Sequence, residues 1–375
     1  MALKRLVGGL LAAAMVVAAV VVTTTGATSA SAAQRDARAE AQVKIDKVVT
    51  DFRAMGASAF RYGGDQSWTV QAGRVSSFDN RPITENDHIR IGSLTKPFVS
   101  TVVLQLVAEG KVALDGPIEQ YLPGLVAGNG HDGTKITVRH LLQHTSGIRD
   151  YLGTMVINPL NLWATHDPAA LARNGLAKGS NGAPGAVFLY SNTNYIILGM
   201  MIEKITAHSL TQEIHDRITA PHDLTETELP PAAKQRLPEP FSFGYTHLLP
   251  SLKIDTTHYS PTLAWASGAV VSTGRDVGEF FALLAEGKLL PPAQQAELVK
   301  TFTDEPYGYG LGLIVWRLSC GMTAYGHNGV VPGFVSVAFA TADGRQGVAT
   351  TNANIGPSQP HMQPMHEAVE LALCA

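Results

Sequence analysis

Cysteine is nearly absent: two in 375 residues, too few for a disulfide scaffold and without the clustering of a zinc site. Charge is also scarce, at 16% of residues, with 28 Lys and Arg against 31 Asp and Glu. No run of five or more basic residues occurs, so a nucleic-acid partner has no electrostatic footprint here. Gly-x-Ser-x-Gly is missing, which argues against an α/β-hydrolase elbow. A Gly-rich phosphate loop and a dinucleotide fingerprint are missing too. His140 and His144 stand four apart, but Leu141 occupies the position where a metalloprotease helix carries Glu, so they read as a packed helix and a cap before Gly147. No metal and no cofactor is expected. Apolar residues, by contrast, are plentiful: they make up 45% of the chain, enough for a sizeable core and too many for a disordered protein.

The first segment reads as an export signal. Lys4 and Arg5 precede an apolar run from Leu6 to Val22, and Ala30-Ser31-Ala32 supplies the small residues of a cleavage site, placed after Ala32. An uncleaved anchor is the other reading, because the run nearly spans a bilayer. The Ala and Gly content and the missing basic stop-transfer flank favour cleavage. The expectation is a signal peptide over 1–32 and a secreted, extracellular chain over 33–375 with no stable membrane span. In an oxidising location, Cys320 and Cys374 read as a disulfide pinning the C-terminal helix to the strand that opens at Gly321. Two buried free thiols are the alternative.

Periodicity predicts a helix from about Asp36 to Met55, with Val43, Ile45, Val48, Val49 and Phe52 on one stripe. Strands are expected at Ala57–Tyr62, Trp68–Gly73, His88–Ile91, Leu311–Trp316, Thr323–Tyr325, Val335–Ala340 and Gly347–Thr351, and a last helix near Pro364–Leu373. Such an order implies an α+β fold: an antiparallel sheet built from both chain ends (about 33–95 and 258–375) with a mostly helical part over about 96–257.

Three short motifs carry chemistry. Ser93-Leu94-Thr95-Lys96 opens a helix expected to be amphipathic through Phe98, Val102, Leu106 and Val107. A serine there can simply cap the helix. Lys96 lies on the same helical face and, if kept neutral, can take the serine proton. Tyr190-Ser191-Asn192 sits on a turn before a helix, offering a phenol for proton relay and an amide. His327-Asn328-Gly329 carries a basic group along a strand, and its glycine lets a ligand approach the backbone. Trp265 is a candidate wall of a cleft, although burial is the default for an indole. Each motif alone is weak; together, in this order, they are specific.

The set resembles the penicillin-recognising serine enzymes, which comprise class C β-lactamases and low-mass D-alanyl-D-alanine carboxypeptidases, whose motifs are Ser-x-x-Lys, Tyr-x-Asn and Lys- or His-x-Gly. The stretches Thr137–Leu142, His144–Gly147, Tyr190–Tyr195 and Gly308–Leu313 agree with that family, and the similarity runs from about residue 57 to the C-terminus. It is nearest to the secreted actinobacterial carboxypeptidases. The resemblance implies a β-lactamase/transpeptidase-like fold and an acyl-serine intermediate, with peptidoglycan-type D-alanyl peptides or other small acyl groups as substrates and β-lactams as covalent ligands. It implies Ser93 as nucleophile and Lys96 with Tyr190 as the proton-transfer pair. Asn192 would orient Lys96 and the substrate amide, and His327 would hold Tyr190 and add positive field when protonated. The backbone N–H groups of Ser93 and Val330 would form the oxyanion hole, beside Asn328 and Gly329. In the carboxypeptidases an Arg and a Thr hold the terminal carboxylate; Ile314 and Val330 stand at those positions here. That departure predicts weak preference for a free carboxylate. An esterase, a D-amino-acid amidase, a β-lactamase and a non-catalytic penicillin sensor remain the competing functions.

Overall fold

The computed structural model describes residues 24–64, 67–155, 158–249, 252–303, 306–356 and 359–375. The apolar run from Leu6 to Val22, and with it most of the expected signal peptide, lies outside the described residues. The first helix, α1 (Thr24–Thr50), passes through the expected cleavage point after Ala32.

The central sheet has seven strands. Two come from the N-terminal side, β1 (Gly56–Tyr62) and β2 (Trp68–Gly73). A short ladder follows, β3 (Ile89–Arg90) with β4 (Val271–Ser272). The other five strands of the main sheet are β5 (Tyr307–Tyr309), β6 (Ile314–Arg317), β7 (Thr323–Val331), β8 (Phe334–Thr341) and β9 (Gln346–Thr351). They align antiparallel in the order β2-β1-β9-β8-β7-β6-β5. The expected α+β architecture built from both chain ends is therefore the one observed.

Helices cover both faces. On one, α1 and the C-terminal helix α7 (Met362–Cys374) lie side by side. Ala41, Ile45 and Val48 of α1 and Met365, Ala368, Val369, Ala372 and Leu373 of α7 are fully buried against Val335, Val337 and Phe339. Those spacings are the apolar stripe of a 3.6-residue repeat. Val43 is off it and 55% exposed, contrary to the stripe read from sequence. Cys320 and Cys374 form a disulfide with Cα atoms 5.9 Å apart, tying the end of α7 to the turn between β6 and β7.

The other face holds the helical layer: α2 (Thr95–Ala108), α3 (Val138–Leu142), α4 (Pro168–Leu176), α5 (Asn192–Thr206) and α6 (Gly274–Ala285). Instead of an amphipathic helix, α2 is buried on every side from Thr95 to Leu104. It is the hub of the larger core, with Phe98 stacked on Phe280 of α6 at 3.6 Å. Caps set the helix starts. Asp167 accepts from Ala169 N and Ala170 N ahead of Pro168, and Thr273 Oγ1 accepts from Asp276 N.

Two strands differ from expectation for local reasons. The strand read from Leu311 begins only at Ile314, because Gly312 turns the chain at φ +81°. The strand read as Thr323–Tyr325 runs on to Val331. Its partner β8 satisfies the backbone through Gly326, His327, Asn328 and Gly329, whose side chains give no strand signal of their own. On its other side, pairing with β6 reaches only Gly326↔Ile314. The upper half of β7 thus presents an edge that is not paired to β6, and the candidate site lies there. Among the described residues, no helix is long and apolar enough to cross a membrane.

Candidate active site

Ser93 stands on a single 3-10 turn (Gly92–Leu94) between β3 and α2. Gly92 adopts φ +59°, and a Cβ on it would lie 2.8 Å from Val330 N. From the other side, a Cβ on Gly329 would lie 1.9 Å from Ile91 O. These two glycines let β7 press directly against the serine turn. That contact sets Val330 N beside the turn that carries Ser93.

One turn along α2, Lys96 is fully buried. Its Nζ lies 3.0 Å from Ser93 Oγ, 2.8 Å from Asn192 Oδ1 and 2.7 Å from Ser267 O. Burial lowers its pKa to about 7, against the opposing pull of the Asp150 carboxylate. Two of its three partners are obligate acceptors. A neutral amine therefore spends both N–H groups on Asn192 and Ser267 and turns its lone pair toward Ser93.

Tyr190 Oη donates to Ser93 Oγ at 2.8 Å. Burial pushes the phenol above its ordinary range, so it keeps its proton at neutral pH. The Tyr190 ring is packed by His144 (centroids 4.3 Å apart) and meets Tyr309 edge-on at 6.2 Å. Asn192 is the first residue of α5, and Ser191, its N-cap residue, is extended. The turn ahead of α5 is clamped from the 144–150 segment: His144 Nδ1 accepts from Ser191 N at 3.2 Å, and Asp150 Oδ2 accepts from Asn192 Nδ2 at 2.8 Å.

His327 behaves differently from the reading of its motif. Its Nδ1 donates to the Asn328 carbonyl at 2.6 Å, which leaves Nε2 to accept from Tyr309 Oη at 3.1 Å. Burial, aided by the nearby Lys96, lowers its pKa to about 3. These surroundings favour the neutral ring at neutral pH over the protonated one that would add positive field. Its ring is 6.3 Å from that of Tyr190, and its hydrogen bond goes to Tyr309 instead.

The substrate-side candidates divide. Alternation along β7 sets Asn328 on the face of Ala324, which packs toward α1 and α7, and His327 on the opposite face. Asn328 Oδ1 is buried without a partner, so its side chain does not join the catalytic cluster. Ile314 packs against the same α1–α7 core, and Val330 is 37% exposed beside the serine turn. Arg317 is exposed at the far end of β6 and donates to Thr323 Oγ1. Trp265 lies two residues before Ser267, but its indole faces Gly199 of α5. With His166, Glu203 and Thr211 it lines a cavity of about 350 Å³ whose lining does not include Ser93.

Asp150, Ser267, His144 and Tyr309 belong to this cluster and were not singled out as site residues from sequence. His144 and Tyr309 fall in stretches that carried the family resemblance, and His144 otherwise stands out only for its four-residue spacing from His140. No group of three or more His, Cys, Asp or Glu able to hold a metal ion occurs among the described residues.

Residues 44–371 match the Beta-lactamase family. Among solved structures, a D-stereospecific amidohydrolase from Streptomyces sp. is similar at 37% identity and TM-score 0.80, covering 88% of this chain and 98% of that one. The D-amino acid amidase of Ochrobactrum anthropi SV3 superposes with TM-score 0.76 at 26% identity, covering 90% and 97%. Penicillin-binding protein 4* of Bacillus subtilis is 27% identical over 305 residues, which is 76% of this chain and 64% of that longer protein.

Proposed function

Because the chain belongs to the β-lactamase family of serine hydrolases, we propose that it cleaves D-amino-acyl peptide and amide bonds through an acyl-Ser93 intermediate, without requiring a free carboxylate on the leaving side. One observation carries the catalytic part: Lys96 Nζ lies within 3.0 Å of Ser93 Oγ while Asn192 Oδ1 and Ser267 O take its two N–H groups.

In this reading Ser93 Oγ bonds to the acyl carbon as its proton passes to Lys96 Nζ. The N–H groups of Ser93 and Val330 receive the oxyanion, each such donor being worth ~3 kcal/mol in the transition state. Tyr190 gives its proton to the departing amine as the C–N bond breaks, and the Lys96 ammonium returns a proton to the resulting phenolate. Water then attacks the ester carbon, its proton returning by the same pair, and the C–Oγ bond breaks to restore Ser93. His327 stays neutral and supports Tyr309.

For the substrate, the amidohydrolase and amidase neighbours support a D-amino-acyl group. A terminal carboxylate leaving past the serine turn would meet Val330, whose side chain offers no donor, and would lose water without gaining a charged partner from it, which costs several kcal/mol. The carboxypeptidase reading is therefore second to an amidase or peptidase with a neutral leaving side. β-Lactams fit the same chemistry as covalent ligands, and cell-wall-type D-alanyl peptides remain the natural candidates. Export fits the Leu6–Val22 run and the Cys320–Cys374 disulfide, since such bonds persist in oxidising compartments. The test compares kcat/KM for acyl-D-Ala-D-Ala with that for its C-terminal amide. Near-equal values or a preference for the amide support the reading; a hundredfold preference for the free acid, about 2.7 kcal/mol, overturns it.

A further inference from the structure

The carboxylate of Asp150 has no part in the steps above, yet it is built into the site. It belongs to the segment that follows α3, and three N–H groups converge on it. Oδ2 accepts from Asn192 Nδ2 at 2.8 Å and from Asn192 N at 3.3 Å; Oδ1 accepts from Leu152 N at 2.8 Å. The backbone beneath it is pinned as well, since Lys178 Nζ donates to the carbonyls of Asp150 and Tyr151.

An amide has two ends of similar size. Only one, the oxygen, can take an N–H from Lys96; the other, NH₂, would compete for the Lys96 lone pair. Nothing in Asn192 itself chooses between the two. An ionised carboxylate accepts only, so an Asp150 fixed on the far side admits the NH₂ end and refuses the oxygen.

We propose that Asp150 is a positioning residue acting through Asn192: it holds the amide with Oδ1 toward Lys96 and Nδ2 away, which leaves the lysine lone pair for Ser93. This rests on the catalytic reading of Ser93 and Lys96. Asp150 does a second thing from the same place, because its negative charge favours the Lys96 ammonium. The other groups around Lys96 are the rings of Tyr190 and Tyr195 at 4.8 and 5.4 Å, the Ser267 carbonyl, and neutral His144 and His327.

The two roles separate in two variants. Asp150→Asn keeps one of the two acceptor oxygens in the same shape but loses the charge. Asp150→Ala loses both. The readout is the pre-steady-state burst with p-nitrophenyl acetate across pH, an activated ester that reports Ser93 acylation whatever the natural substrate. In Asp150→Asn the acid limb moves to lower pH by about half a unit or more, and the alkaline plateau falls, but less than in Asp150→Ala, because one acceptor oxygen remains. In Asp150→Ala the limb moves likewise and the plateau falls about tenfold or more, because the amide is free to turn. Unmoved limbs in both variants, or one uniform loss at every pH, overturn the proposal; should Asp150→Ala not fold, the limb of Asp150→Asn decides. A burst that survives Ser93→Ala overturns the catalytic reading itself and this proposal with it.

Discussion

Gly329 and Ile91 approach so closely that a Cβ on the glycine would stand 1.9 Å from the Ile91 carbonyl oxygen. The backbone atom cannot swing aside as the tip of a flexible side chain would. This contact seats Val330 N beside the serine turn, so the proposed oxyanion hole depends on the absence of a single methyl group.

Gly329→Ala is therefore expected to push β7 off the serine turn and to lower kcat/KM about a hundredfold, the usual loss for one displaced oxyanion donor. Circular dichroism and melting should show a folded protein, because β8 still pairs with β7 along its length. Wild-type kcat/KM in a folded Gly329→Ala protein would remove Val330 N from the mechanism.

The Lys96 pKa of about 7 gives a pH profile with a definite sign. With the neutral amine as the proposed base, kcat/KM is expected to rise with pH and level off above about 7. The lysine is held low by burial, and opening the site to water would raise the limb toward the range of a free amine. Titrating the acylation rate of the free enzyme checks this. A limb near pH 10, or none, would mean that another group takes the Ser93 proton.

Acid stability turns on different residues. His361 and His366 both have pKa values lowered to about 4 by burial. In the unfolded chain they titrate near 6.5. Between those values the unfolded state binds more protons, so stability rises with pH from about 4 to 6.5 and is lost as pH falls through that window. His366 sits among the rings of Tyr307, Trp316 and Phe339, where a benzyl group fits. His366→Phe should keep the packing and flatten the dependence of Tm on pH across that window; an unchanged slope would exclude His366 as a contributor.

Much of the architecture was legible, and the reasons are physical. β2 has the bounds read for it because Trp68 and Val70 alternate with solvated neighbours. β7 was read six residues short because Gly326 to Gly329 carry no strand pattern; the ladder to β8 imposes it. Val43 was placed inside because it is apolar, but the buried face of α1 is set by Ala41, Ile45 and Val48. Ser93, Lys96, Tyr190 and Asn192 stood out because their chemistry lies in side chains at short spacings. Ser267 contributes only a carbonyl, which every residue has, and Asp150 is a carboxylate on a loop until α5 is laid against it. The lowered pKa of His327 comes from burial, which its motif does not reveal.

The central claim is that Ser93, deprotonated by Lys96, carries the acyl group. Acid quenching during turnover of an N-acyl-D-alanyl p-nitrophenyl ester, followed by peptide mass mapping, tests it most directly. The account predicts the acyl mass on the peptide containing Ser93 in the wild type, a slower build-up in Lys96→Ala, and none in Ser93→Ala. Continued turnover with Ser93 unmodified, or the acyl group on another residue, would contradict it.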